Sequence, residues 1–249
     1  MNFSLKGDYF NNEFHKTSLD KADEEFNKYC PGELDLHLWQ AAINHSHTDH
    51  ILESASKAKN SWRSLSFDER AEYLSRYKQE VEKRADDIAM AIALETGKPL
   101  WESKTEAAAL SAKVNVTLNE SLERIKQTTI NQVLPNIDGH FIYKPLGICL
   151  VIGPYNFPCH LANGQILSAL IAGNPIIFKP SEKTIYSAQV MIECFHAAGF
   201  PKGVINLING GAISTQKLIK ASEIKGIFFT GSLAVGKKIL ESVGADVTK

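Results

Sequence analysis

Residues 147–182 read GICLVIGPYNFPCHLANGQILSALIAGNPIIFKPSE, and their rhythm decides the fold. An unbroken apolar run, GICLVIG at 147–153, leads into a loop bracketed by two prolines. A segment of helical spacing follows over roughly 160–172, and a second apolar run, NPIIFKP, fills 174–180. The unit then repeats. GVINLI at 203–208 and KGIFFTG at 225–231 are further short apolar runs bounded by Gly, Pro or Asn, and helical segments occupy roughly 184–198, 213–222 and 233–243. Strand, helix, strand, helix predicts parallel strands joined by right-handed crossovers. Strands that are apolar throughout predict a sheet covered on both faces. The expected class is α/β, a doubly wound, Rossmann-like parallel sheet, with ligands at the carboxyl ends of its strands.

Upstream the rhythm is helical. Ser66 and Glu69 have the spacing of a capping box. Ala71, Leu74, Tyr77, Val81, Ala85, Ile88 and Ile92 draw one apolar stripe that Gly97 and Pro99 close. A second stripe runs through Trp101, Ala108, Ala112, Leu118, Leu122 and Ile125, so two long antiparallel helices are expected to precede the sheet. Residues 1–38 read as an irregular arm with at most a short strand. GHFIYKP, from Gly139, reads as an exposed strand.

Composition excludes several classes. Lys and Arg number 27 against 28 Asp and Glu over 249 residues, a net charge of −1, which gives no support for a nucleic-acid or anionic-membrane partner. The apolar runs are too short to span a bilayer, and the first residues lack the pattern of a signal peptide. Cys30, Cys149, Cys159 and Cys194 form no CxxC pair, so a reducing cytoplasm is the expected compartment.

The strand ends carry the candidate chemistry. After 147–153 comes Pro154-Tyr155-Asn156-Phe157-Pro158, a stiff loop that could hold the Asn156 amide as a preorganised donor. After 174–180 come Ser181 and Glu182 beside Lys179; a cation and a carboxylate there suit a ribose or phosphate. Each also has a plain reading, Asn156 as a turn residue and Ser181 or Glu182 as the start of the next helix. Asn209-Gly210-Gly211 follows the third run. Thr230-Gly231-Ser232 follows the fourth, where Gly231 permits close approach and Ser232 sits at a helix N-terminus able to receive a phosphate. No GxGxxG is present.

Taken in order, GPYNFP, the Asn163-Gly164 pair, AGNPIIFKPSE, AGFPKGVINLINGG and FFTGS with the later Gly236 resemble the aldehyde dehydrogenase superfamily, as does ETGKP at 95–99. GPYNFPCHLANGQILSALIAGN is most similar to the succinylglutamate semialdehyde dehydrogenases of arginine degradation. The resemblance implies that all of 1–249 is the N-terminal NAD(P)-binding portion of such an enzyme, with 139–144 beginning its oligomerisation segment. It implies that Asn156 donates to the oxyanion of a thiohemiacetal and that Lys179 and Glu182, with Ser181 between them, grip the adenosine ribose. Ser232 and Gly231 would lie at the pyrophosphate, Gly210 near the adenine, and Ile152 and Pro154 along the cofactor cleft. The cofactor implied is NAD, favoured over NADP by Glu182 at the ribose; the substrate is a small aldehyde, expected to be succinylglutamate semialdehyde oxidised to succinylglutamate; a homo-oligomer is expected. The resemblance also implies a nucleophilic Cys and a general-base Glu at positions beyond Lys249, so this chain alone is expected to be inactive. Ser214-Thr215 departs from the Thr-Gly usual at that helix start.

One constellation competes. Residues 45–50 read HSHTDH, and His45, His47, Asp49 and His50 match the HxHxDH ligand pattern of metallo-β-lactamase-like hydrolases. Against it, LHLWQAAIN before the motif is not a clear strand, and His140, His160 and His196 lie in no matching context. In the dehydrogenase reading Thr48 or Asp49 caps a helix at 50–62, the histidines face solvent and no metal is bound. A non-catalytic nucleotide-binding remnant is the third class.

Overall fold

The computed structural model describes residues 3–246 and 248. Its centre is a six-stranded sheet in the order β10-β7-β8-β9-β1-β2. The four expected apolar runs form β7 (Ile148–Ile152), β8 (Ile176–Lys179), β9 (Ile205–Leu207) and β10 (Ile224–Phe229), all mutually parallel. The crossovers are α5 (His160–Ile171), α6 (Ile185–Ala197), α7 (Ala212–Lys220) and, after β10, α8 (Leu233–Val243).

Alternation within the strands feeds two cores. Cys149, Val151, Ile176 and Phe178 point into the layer shared with α5 and α6; Ile148, Leu150, Ile152 and Ile177 point into the opposite layer with Ile219 of α7 and Ile239 of α8. Both faces of β7, β8 and β9 are therefore buried, which is why these strands lack a solvent side in sequence, while the edge strand β10 is half-buried from Ile227 to Phe229.

The sheet is not wholly parallel. The arm expected to be irregular supplies β1 (Asp8–Phe10) and β2 (Glu13–His15), and β1 runs antiparallel against β9 through Tyr9 and Leu207. The arm also supplies a hairpin, β3 (Glu24–Cys30) and β4 (Glu33–Ile43), so the LHLWQAAIN segment is a strand after all.

The helical region is also more divided than expected. α1 (His47–Ser64) packs on the sheet face opposite α5 and α6. The first long stripe breaks at Arg84 into α2 (Phe67–Lys83) and α3 (Ala85–Thr96); Arg84 adopts a non-helical φ of −113° and reaches Glu193 of α6 at 2.6 Å. The Ser66–Glu69 capping box is present in both directions. Gly97 ends α3 at φ +76°, a left-handed cap that only glycine adopts freely, with Pro31 of the hairpin turn close against it.

α4 (Leu100–Val116) buries a different stripe from the one expected. Trp101, Ala108 and Ala112 are exposed, whereas Ser103, Glu106, Ala107, Leu110 and Val114 are buried. A second hairpin, β5 (Thr128–Leu134) and β6 (Ile137–Phe141), contains the strand expected from Gly139 and stands away from the core, with Ile130, Leu134, Ile137 and Phe141 all exposed. No described helix is long and apolar enough to cross a membrane.

Candidate active site at the strand ends

β7 lies between β8 and β10, so the chain leaves its carboxyl end toward one neighbour and returns on the other side. That reversal opens a crevice, the place where ligands bind in open α/β sheets. The ladder continues past the strands: Gly153 N–H donates to Lys179 O at 3.0 Å and Thr230 N–H to Ile152 O at 3.1 Å. Gln165 of α5 donates to the Thr230 hydroxyl at 3.0 Å, tying α5 to the end of β10.

Every crossover helix begins at this edge, and three of the four N-termini receive a carboxylate from the N-terminal part of the chain. Glu106 of α4 accepts the N–H groups of Cys159 and His160, each at 3.1 Å, at the start of α5. Glu95 of α3 accepts Tyr186 N–H at 2.9 Å, Ser187 N–H at 2.7 Å and the Ser187 hydroxyl at 2.5 Å at the start of α6, and Trp39 Nε1–H at 2.7 Å. Glu24 of β3 accepts Gly211 N–H at 3.2 Å at the start of α7. Free N–H groups and the helix dipole favour negative charge at such ends. Among the described residues α8 differs. Like the other three it has no acidic residue in its first turn, but no carboxylate from elsewhere is bonded to it, and its N-cap is Ser232, whose hydroxyl accepts Val235 N–H at 3.3 Å. Ser232 is exposed. The α8 end is thus the crossover N-terminus whose dipole no side-chain carboxylate neutralises.

The Asn156 loop is held from both sides. Lys183 lies 4.7 Å from the Tyr155 ring centre and Lys98 lies 3.4 Å from that of Phe157. Lys98 is itself bound to Glu106 at 2.9 Å, so the carboxylate that caps α5 also braces the loop before it. Asn156 is exposed, and its Oδ1 accepts Phe157 N–H at 3.1 Å. That bond uses the amide's oxygen and none of its NH₂ donors. Asn163 is fully buried instead, accepting from Tyr77 at 2.8 Å and donating to Leu110 O at 3.1 Å.

At the end of β8, Lys179 is buried and donates to Pro180 O at 2.8 Å. Burial lowers its ammonium's proton affinity, while the charges of Glu182 and Glu24 raise it. Ser181 accepts Lys183 N–H at 3.3 Å, so the loop is a tight turn before α6, and Glu182 is half-buried. Gly210, at φ +138°, faces no open space: a Cβ there would meet the Ser214 hydroxyl at 2.5 Å and Ile43 at 3.3 Å. A Cβ on Gly231 would strike the Phe229 ring at 2.6 Å. Pro154 is buried, and Ile152 belongs to the core shared with α7 and α8.

All four cysteines are buried. Burial pushes the thiols of Cys149 and Cys194 up to about 12, and that of Cys159 well above its ordinary range. A buried neutral thiol is a poor nucleophile. The histidine constellation separates in space. His47 Nδ1 meets Asp8 at 2.8 Å, His45 Nε2 meets Glu24 at 3.5 Å, and Asp49 pairs with Lys217 at 2.8 Å. His47 is therefore not solvent-facing as expected. α1 begins at His47 with Ser46 as N-cap, so neither Thr48 nor Asp49 caps it. Among the described residues no group of three or more His, Cys, Asp or Glu side chains is arranged to hold a metal.

Residues 19–249 match the aldehyde dehydrogenase family. The chain belongs to that family. N-succinylglutamate 5-semialdehyde dehydrogenase of Legionella pneumophila (strain Corby) is 42% identical over 207 residues, covering 81% of this chain and 40% of that protein. The enzyme of the same name from Chromohalobacter salexigens is 39% identical over 213 residues, 85% of this chain and 43% of that protein. Among solved structures, an NADP-dependent enzyme of E. coli superimposes with a TM-score of 0.90 at 28% identity, over all of this chain and 51% of that one. A lactaldehyde dehydrogenase gives a TM-score of 0.89 at 25% identity, over 98% of this chain and 50% of that one. This aldehyde dehydrogenase chain thus spans about two fifths of the length of the curated relatives it matches.

The residues legible in the sequence, Asn156, Lys179, Ser181, Glu182, Gly210, Gly231 and Ser232, lie along one edge of the sheet. The sequence reading misses Glu24, Glu95 and Glu106, although ETGKP draws attention to the junction that holds Glu95 and Lys98.

Proposed function

We propose that this chain is the cofactor-binding portion of an enzyme that oxidises an aldehyde to a carboxylic acid with NAD. The observation that carries the reading is the α8 N-terminus, the crossover start with no side-chain carboxylate, next to the β7/β10 reversal. A pyrophosphate there would meet Ser232 and the first N–H groups of α8. Lys179 and Glu182 lie one strand away, at the end of β8, where they would hold the adenosine ribose. The bound nicotinamide would supply the hydride acceptor.

Asn156, exposed on a braced loop with its NH₂ donors not used by Phe157, would donate to the oxyanion formed when a thiolate adds to the aldehyde. Cys149, Cys159 and Cys194 are buried with thiols pushed well up, which supports a reading in which none of them is the attacking thiolate. The relatives at 39–42% identity favour succinylglutamate semialdehyde as substrate, in arginine degradation. The exposed β5–β6 hairpin favours assembly with further copies, and four unpaired cysteines suit a reducing cytoplasm.

Calorimetric titration of the purified chain with NAD tests the cofactor reading. Saturable binding is expected, and Ser232→Asp should weaken it at least tenfold, on the order of 1.4 kcal/mol. Asp is as good an N-cap as Ser, so the helix survives while its end gains a negative charge. Equal affinity in the variant sinks the reading. Mixing the chain with NAD and the semialdehyde should give no NADH.

A further inference from the structure

The three carboxylates at the crossover N-termini are not equivalent. Glu95 and Glu106 are buried with partners for both oxygens. Glu24 is only partly buried. It reaches the strand-end edge from outside the α/β unit, on β3, and its one backbone partner is Gly211 N–H. It also occupies the space of a missing side chain: a Cβ on Gly211 would come within 2.7 Å of Glu24 Oε1. Gly211 follows β9, and Glu182 follows β8. The two strands are hydrogen-bonded neighbours, Phe178 facing Leu207, so two carboxylates flank the end of the same strand pair. Lys179, at the end of β8, lies in the field of both, and one of its three N–H donors goes to Pro180 O. His45, 3.5 Å from Glu24, is the other titratable neighbour on the hairpin side.

We infer that Glu24 is a second cofactor-selecting residue, acting with Glu182 to exclude a 2′-phosphate from the adenosine ribose and so to favour NAD over NADP. The inference rests on the proposed seat of the ribose at Lys179 and Glu182. A ribose hydroxyl can donate to a carboxylate. A 2′-phosphate brings close to two negative charges and no such donor, and meets two carboxylates against the single ammonium of Lys179. Glu24 acts from a distance and does not bind the cofactor itself; it is a specificity residue, not a catalytic one.

The test is the ratio of NADP to NAD dissociation constants, read by calorimetry on the purified chain, on Glu24→Gln, on Glu182→Gln and on the double variant. Glutamine keeps an acceptor for Gly211 N–H. Glu24→Gln should lower the ratio about fivefold at low salt, the effect of one carboxylate charge ~8 Å from the two charges of a phosphate in a water-like dielectric. Glu182→Gln should retain a preference for NAD that shrinks as salt rises to about 1 M, where screening falls to ~3 Å; this comparison needs no change at Glu24. The double variant should lose the preference.

An unchanged ratio in Glu24→Gln, or equal weakening of both cofactors, overturns the inference and leaves the cofactor seat intact. If Glu24→Gln does not fold, a salt-independent ratio in Glu182→Gln overturns it instead. A wild-type chain that binds neither cofactor removes the ribose seat itself, and the inference with it.

Discussion

Glu106 accepts the backbone N–H of Cys159 at 3.1 Å across a separation of 53 residues, joining a helix outside the sheet to the start of the first crossover. The same carboxylate holds His160 N–H and the Lys98 ammonium. One buried side chain thus fixes both the α5 N-terminus and the ammonium over Phe157, next to Asn156 in sequence.

Glu106→Ala strands two N–H groups and leaves the largely buried Lys98 ammonium with only the longer pair to Glu102 at 3.8 Å. Breaking such a buried pair costs about 3 kcal/mol. Glu106→Gln keeps the acceptor and should cost less than half of that. Urea unfolding of the two variants checks the order; equal losses would show that the acceptor contributes little.

Glu95 gives a pH prediction. Burial raises its carboxyl to about 7, despite hydrogen bonds from Ser187, Tyr186 and Trp39 that lower it. The unfolded group titrates near 4.5. The folded value is the higher one, so the stabilising contribution is complete below about 4.5 and is lost as pH rises to about 7. The loss is on the order of 3 kcal/mol. Stability measured from pH 4.5 to 7.5 should fall less steeply in Glu95→Gln than in the wild type. Identical slopes would rule Glu95 out as the source.

The thiols should be silent. At pH 8 an aromatic disulfide reagent is expected to modify none of the four cysteines in the folded chain within minutes, and all four in denaturant. Rapid stoichiometric labelling of the native protein would show that a cysteine reaches solvent.

The β5–β6 hairpin should drive self-association. Light scattering is expected to report a mass above that of one chain, and Ile130→Glu with Phe141→Glu should return it to one chain. Both side chains are more than half exposed, so neither change disturbs the core. A wild-type monomer at high concentration would remove the hairpin from consideration.

The legible and illegible parts of this chain differ for physical reasons. β7 to β9 are readable because both their faces are buried, and β10 because its residues are apolar though half-buried, leaving apolar runs that Gly and Pro punctuate. β5 and the early half of β4 were not, because their residues are exposed on both sides and no alternation is enforced. β1 owes its place to Leu207, far along the chain, which no local window contains. At the site, Asn156, Lys179 and Ser232 sit where strands end and could be found by position. Glu95 and Glu106 look like solvated helix charges, and ignoring Glu106 misplaced the buried stripe of α4. The overlooked signal was spacing: Ile88, Ile92 and Glu95 share one helical stripe, as do Ser103, Glu106, Leu110 and Val114. An acid inside a buried stripe must have donors to meet.

Glu24, Glu95 and Glu106 all precede the helices they cap. As the chain emerges from the ribosome, N-terminal residues first, the acceptors exist before the N–H groups that need them. α2, α3 and α4 can form a waiting surface, and α5 and α6 can dock as they appear. Tyr9 has no such advantage. Its strand can pair with β2 at once through Phe14, but its other side stays open until Leu207 has been synthesised, so this early hairpin joins the sheet late in translation.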